Sequence, residues 1–315
     1  MAITDIIKTQ SGKDILKMAR PKEQRQVFGH FLYEGELGIL FGDSNTGKSI
    51  LANDIAFFAS GGGHEWQDMV SPNIPSMYID MEMSVEQFAR RYEGAGDYIP
   101  EAYNRAEVEV LSSKEDKIFS AIKANIIIRQ GDTLAPKLII IDNITNGFGS
   151  IFSATKMRTL ISDLKALKNK FGLTILLIAH CPKRKPNTPI TDNSMGGSKM
   201  LINFCDSAFA IAPSVQDESM KYIKQIKTRE EKKLSDVMAV KIVNEPYLCM
   251  KFAGWSEEFC HIDECFAGTG FELSAEAEIQ LVKLLTEGEK NYSEIADIIG
   301  CTRNYVIDYA IDNNL

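Results

Sequence analysis

Short apolar runs, each closed by a polar or charged residue, alternate with helically spaced stretches through the first two thirds of the chain. Leu37-Gly38-Ile39-Leu40-Phe41 is the first clear run, and it feeds into Gly42-Asp43-Ser44-Asn45-Thr46-Gly47-Lys48-Ser49. Beyond this loop Leu51, Ile55 and Phe58 share one face of a predicted helix, with Ala52, Ala56 and Ala59 among them. Gly61-Gly62-Gly63 then offers the left-handed backbone that ends helices. Met77-Tyr78-Ile79-Asp80-Met81-Glu82 predicts a buried strand with two carboxylates near its tip, and Ser84 caps a helix through Val85, Phe88 and Tyr92. A strand is expected at Val108-Glu109-Val110-Leu111 and a helix over 115–130, around Ile118, Phe119 and Ile122. Lys137-Leu138-Ile139-Ile140-Ile141-Asp142 is the strongest buried-strand signal. The helix expected over 154–170 follows, with Leu160, Ile161, Leu164 and Leu167 inward, Ser153 as cap and Gly172 as stop. Leu173 to Ala179 forms another buried run, and His180 closes it.

Strands alternating with helices imply an α/β fold whose sheet is mostly parallel, with functional side chains collected at its carboxyl edge. From residue 207 the helices drop out. Strands at 207–212, 222–227, 237–243 and 248–253 suggest an antiparallel C-terminal extension of that sheet. Residues 1–34 read as an N-terminal arm that packs on the core or reaches a neighbouring subunit. The main domain spans 35–255, residues 256–273 read as a linker, and 274–315 as three short helices.

Composition narrows the setting. A chain of 315 residues can bury one full core and carry a small appended domain. No apolar run approaches the roughly 20 residues of a membrane span, and the first residues lack the basic-then-apolar pattern of a secretory signal. Six scattered cysteines suit a reducing, cytoplasmic setting. Cys260-His261 with Cys265 resembles a fragment of a metal site but lacks a second ligand pair at a recognised spacing, so zinc is not expected there, and the phenylalanines and Trp255 nearby read as core. A net charge of −8 disfavours a surface coated for DNA, yet two local stretches are basic. Lys183, Arg184 and Lys185 stand between prolines in a loop, and 221–233 is rich in lysine and arginine.

A strand, a Gly-x4-Gly-Lys-Ser loop and a helix, in that order, make a phosphate-binding loop. The backbone N–H groups of Gly42, Asp43, Ser44, Asn45, Thr46 and Gly47 would cradle a polyphosphate at the helix N-terminus. Lys48 would reach the β- and γ-phosphates of ATP, and the Ser49 hydroxyl would ligate Mg²⁺ together with Asp142. Glu82 is placed either to activate water or simply to be solvated, and His180 either to sense the γ-phosphate or to cap its strand.

Taken together, residues 37–255 resemble the RecA-like ATPase core, nearest to the DnaB- and RepA-type hexameric helicases and their relatives on plasmids and mobile elements. The run ending Glu82-Met83-Ser84 is similar to the strand-two motif of that group, which implies that Glu82 activates the attacking water. His180, the basic loop Lys183-Arg184-Lys185 and the following Ser194-Met195-Gly196-Gly197-Ser198 resemble the group's DNA loop. Lys227-Thr228-Arg229 is similar to the pair that such enzymes insert into a neighbour's active site; neither residue has an evident partner in its own subunit. The resemblance implies a homo-oligomer, a hexameric ring, acting on single-stranded DNA. His180 departs from the glutamine common at its position.

The C-terminal segment resembles a helix-turn-helix, from Tyr292 through Gly300 to Tyr309. From Ser274 onward eight acidic residues stand against three basic ones, which favours a protein partner over DNA there. The alternative to a DNA motor is therefore a nucleotide-switched regulatory or loader ATPase that docks partners through this tail.

Overall fold

The computed structural model describes residues 11–18, 24–108, 115–144, 154–182, 188–262, 275–288, 290–299, 306, 307, 309, 310 and 313. After α1 (Gly12–Met18) come β1 (Gln26–Phe28) and β2 (Leu32–Tyr33), which form a small antiparallel pair. The main sheet contains β3 (Leu37–Gly42), β4 (Ser76–Asp80), β5 (Tyr103–Glu107), β6 (Leu138–Asp142), β7 (Thr174–His180), β8 (Ser207–Pro213), β9 (Met220–Lys227), β10 (Val237–Val243) and β11 (Cys249–Ser256). Its nine strands run in the order β11-β10-β9-β8-β3-β7-β6-β4-β5. From β8 to β5 every pairing is parallel, and β9, β10 and β11 continue antiparallel.

The alternation of side chains along the central strands builds a layer on each face. Ile39, Phe41, Ile79, Ile139, Ile141, Ile175 and Leu177 pack against α4 (Glu115–Arg129) and α5 (Ala154–Phe171) through Ile118, Ile122, Leu160 and Leu164. On the other face Leu40, Tyr78, Leu138, Ile140, Leu176 and Ile178 meet Leu51, Ile55 and Ala56 of α2 (Lys48–Ala59). This is the RecA-like arrangement, α/β with helices on both faces. α2 is buried nearly all round, because β11 closes on it: the Met250 N–H donates to Asp54 Oδ2 at 2.7 Å.

Three expectations change in detail. Where a strand is expected at 108–111, β5 lies just before it, over Tyr103–Glu107; Val108 is outside the strand and residues 109–111 lie outside the described part. As an edge strand β5 is only half buried, so it needs no apolar run and carries Asn104, Arg105 and Glu107 instead. β8 is not antiparallel to the core; it pairs parallel with β3 and turns the sheet antiparallel only on its far side. Within the 1–34 arm, Val27, Phe28, Phe31 and Leu32 are fully buried in the α2 layer, and Phe28 meets Trp66 edge-on at 5.0 Å. Over residues 27–32 the arm packs on the core, whereas Ile15 and Leu16 of α1 are exposed.

His261, on α7 (Phe259–Ile262), belongs to the framework. Its ring nitrogens lie 2.8 Å from Ser214 Oγ and 2.7 Å from Ser256 Oγ, and it stacks on Tyr222; Cys265 lies outside the described residues. In the C-terminal part, α8 (Ala275–Glu287) and α9 (Tyr292–Ile299) join Leu281, Ile295, Ala296 and Val306 in a small cluster of their own, while residues 300–305 of the expected turn and recognition helix lie outside the described part. Among the described residues no helix is long and apolar enough to cross a membrane.

Candidate nucleotide site

Four adjacent parallel strands, β3, β7, β6 and β4, end on one edge of the sheet. Gly42 pairs with His180, and Asp80 with Asp142, so register alone gathers the loop and three strand-end side chains. Gly42 is required sterically: a Cβ there would lie 2.3 Å from the Ile211 carbonyl oxygen. The loop then turns through left-handed backbone at Asn45 (φ 63) and Gly47 (φ 91) before α2 starts at Lys48. Thr46 Oγ1 donates to the Asp43 carbonyl at 3.0 Å, and Cys181 Sγ donates to Asp43 Oδ1 at 3.1 Å, bracing the loop from both sides.

Lys48 is buried, its Nζ donating to the carbonyls of Gly42 (3.0 Å) and Asp43 (2.6 Å). Burial lowers its pKa, and Cys181, Asp142, Glu82 and Asp43 oppose that shift. A polyphosphate would offer this ammonium full negative charge in place of the two neutral carbonyls.

Asp142 is almost wholly buried and accepts hydrogen bonds from Tyr78 Oη and from the Ser49 hydroxyl. Burial raises its pKa to about 6, the two hydrogen bonds work against the rise, and Glu82 and Asp80 add to it. A buried carboxylate touching a serine hydroxyl at the foot of a phosphate loop is a donor set that suits Mg²⁺. Ser49 and Asp142 would hold that ion.

Glu82 is aimed by the turn that carries it. Asp80 Oδ1 accepts the N–H groups of Glu82 and Met83, each at 2.9 Å. Asp80 Oδ2 accepts Arg105 Nε at 3.1 Å and Nη2 at 2.9 Å, and Arg105 also donates to the Met83 carbonyl. The guanidinium rests on the Phe88 ring, 5.0 Å from its centroid. Ser84 then opens α3 (Val85–Arg91) with a capping box to Gln87. The Glu82 side chain thus leaves the turn toward Asn143 Nδ2, which donates to Oε1, and His180 Nε2, 3.1 Å from the same oxygen. His180 Nε2 is also 2.8 Å from Asn143 Nδ2. The ring nitrogen can donate to Glu82 or accept from Asn143, but not both. Donation to Glu82 holds the carboxyl below its usual range, with help from the charge of Lys48 and against the cost of burial.

A cavity of about 300 Å³ runs across these groups, lined by Asn45, Gly47, Lys48, Ser49, Ile50, Glu82, Met83, Arg91, His180 and Ile242. Loop, Glu82 and His180 therefore meet in one space, as their strand-end positions implied. Several participants escaped the sequence reading. Asn143 directly follows Asp142 and was visible as a second polar strand-end residue. Arg91 and Ile242 reach the cavity through tertiary structure only.

The basic loop Lys183, Arg184 and Lys185 lies outside the described residues. Lys227 and Arg229 are not without partners, contrary to expectation. Lys227 Nζ donates to the carbonyls of Ile202 (2.8 Å), Asn203 (3.1 Å) and Cys205 (2.7 Å), capping the end of α6 (Lys199–Phe204). Arg229 Nη1 pairs with Asp206 Oδ1 at 3.0 Å and stays half exposed. Lys227 sits opposite Ala208, at the amino end of β8, whereas the phosphate loop leaves β3 just beyond the Phe41–Ala210 pair. Arg229 is therefore about five strand positions, roughly 16 Å, from the level of its own loop.

The raised Asp142 pKa makes a pH-dependent prediction. With no cation bound, its contribution is fully present below the unfolded value near pH 3.8 and is lost as pH rises through about 6. Asp142→Asn should therefore stabilise the chelator-treated protein by about 1–3 kcal/mol at pH 7.5, and hardly at all near pH 4. Urea unfolding at the two pH values measures this; equal effects at both would show that the carboxylate is not penalised by burial.

A family profile described as the AAA domain matches residues 5–186, more than half of the chain. No curated protein sequence matches it. Among solved structures, a KaiC-like protein from the hyperthermophilic archaeon Pyrococcus horikoshii superposes with a TM-score of 0.51 and 14% identity, over 75% of this chain and 99% of that one. Identity so low speaks to the fold alone. The profile match and the phosphate loop at the carboxyl edge of this RecA-like sheet together establish that the chain belongs to the AAA domain family of P-loop ATPases.

Proposed function

We propose that the chain hydrolyses ATP with Mg²⁺ and that hydrolysis moves a ring of identical subunits, a hexamer, along single-stranded DNA. The observation that carries the hydrolytic step is Glu82, held by Asn143 and His180 and facing Lys48 and Ser49 across one cavity. Lys48 exchanges its carbonyl partners for the β- and γ-phosphate oxygens. Ser49 and Asp142 would hold Mg²⁺, which would supply positive charge to the polyphosphate when bound. Glu82, kept anionic, accepts a proton from the water that attacks the γ-phosphorus while the bond to the bridging β-oxygen breaks, releasing ADP and phosphate. Positioning and electrostatics supply most of the acceleration.

The finer likeness to DnaB- and RepA-type ring helicases supports the motor reading. His180 shares the Glu82 oxygen and stands just before the basic loop, so loss of the γ-phosphate changes the hydrogen bonding at the root of Lys183, Arg184 and Lys185. Those residues would hold the DNA backbone inside the ring. Single-stranded DNA should stimulate ATPase activity at about 50 mM salt; Glu82→Gln should cut turnover about 100-fold while retaining nucleotide. Replacing Lys183, Arg184 and Lys185 with alanine should remove the stimulation and spare the basal rate. No stimulation and no DNA binding would leave the nucleotide-switched docking protein as the reading.

The position of Arg229, half exposed and far from its own loop, supports its use in a neighbour's site, with Asp206 as its resting partner. Mixing Arg229→Ala with Lys48→Ala subunits should restore part of the activity that each lacks alone. A wild-type monomer active in isolation would contradict the ring.

A further inference from the structure

The cavity extends past the groups that phosphate chemistry uses. Ile50 and Ile242 flank Gly47: a Cβ there would lie 3.3 Å from Ile242 Cδ1 and 3.9 Å from Ile50 Cδ1. With the terminal phosphate set among Lys48, Glu82 and His180, a nucleotide laid along the loop runs on toward this apolar side. α3 brings a further residue to this cavity. It starts just after Glu82 and runs for seven residues, a rise of about 10 Å, and Arg91 at its end lines the same cavity as Ile50 and Ile242. Arg25, Arg105, Arg129 and Arg229 each pair with a carboxylate. Arg91 makes no ion pair among the described residues.

We propose that Arg91 is the base-binding residue of this cavity, laying its guanidinium on the face of the purine while Ile50 and Ile242 form the apolar wall beside it. A planar guanidinium stacks on a π-face and gains a cation–π attraction that an ammonium on a flexible stem matches poorly. The helix that delivers it is fixed at its start by the Ser84 capping box and along its length by Phe88, which stacks against Tyr103. The residue thus separates two tasks: the loop binds the triphosphate, and α3 supplies affinity for the base. The assignment rests on the nucleotide-binding reading given above.

The test compares equilibrium binding of ATP and of inorganic tripolyphosphate to the wild-type chain, Arg91→Ala and Arg91→Lys. Tripolyphosphate has the phosphates without a base, so it also reports whether each variant keeps a folded loop. Arg91→Ala should weaken ATP about tenfold and leave tripolyphosphate within twofold. Arg91→Lys should behave like Arg91→Ala, because it keeps charge without the planar group. Equal weakening of both ligands would make Arg91 a phosphate contact and overturn the base assignment, as would unchanged ATP affinity in Arg91→Ala. A wild-type chain that binds neither ligand would overturn the nucleotide reading itself, and this assignment with it.

Discussion

Asp80 is a buried carboxylate with four donors: two backbone N–H groups of the turn that follows it and two N–H groups of Arg105. A charge taken out of water at this depth is tolerable only if its lone pairs are filled. Filling them requires the chain to double back after Asp80 and Arg105 to come across from the neighbouring strand. Tyr78 pairs with Arg105 in that parallel register, and Asp80 with Asp142 on the other side. One ion pair therefore ties the edge strand, the β4 turn and α3 into a single unit, and the direction of Glu82 is a consequence of it.

The charges around the cavity then divide their tasks by environment. Asp142 and Glu82 are both carboxylates near Lys48. Burial dominates at Asp142 and raises its pKa, whereas the His180 hydrogen bond dominates at Glu82 and lowers it. On the proposed reading the first would take a cation that relieves its desolvation, and the second would stay anionic and accept a proton. Two like groups set apart in this way would let one fold separate metal binding from base catalysis.

Most of this was legible from the sequence where the signal is local. The phosphate loop, the β6 run into Asp142, the β7 run into His180 and the capped helix after Glu82 each depend on residues within a few positions of one another. What escaped depends on pairing across the sheet. β5 was misplaced because a half-exposed edge strand carries no continuous apolar run. Val27 and Phe28 were assigned to an arm because nothing in their neighbourhood shows that α2 needs a cover. Lys227 seemed free because its partners, the last carbonyls of a short helix, are backbone groups no motif encodes. Arg105 and Arg91 are isolated basic residues in sequence, and only the fold brings one to Asp80 and the other to the cavity.

If the Asp80–Arg105 pair aims Glu82, then breaking it should separate binding from hydrolysis. Single-turnover ATP hydrolysis by Arg105→Ala, measured beside its affinity for MgATP, tests this most directly. Affinity within about threefold of wild type together with a hydrolysis rate reduced at least tenfold is the predicted result. Hydrolysis at the wild-type rate, from a variant that still binds nucleotide, would contradict it.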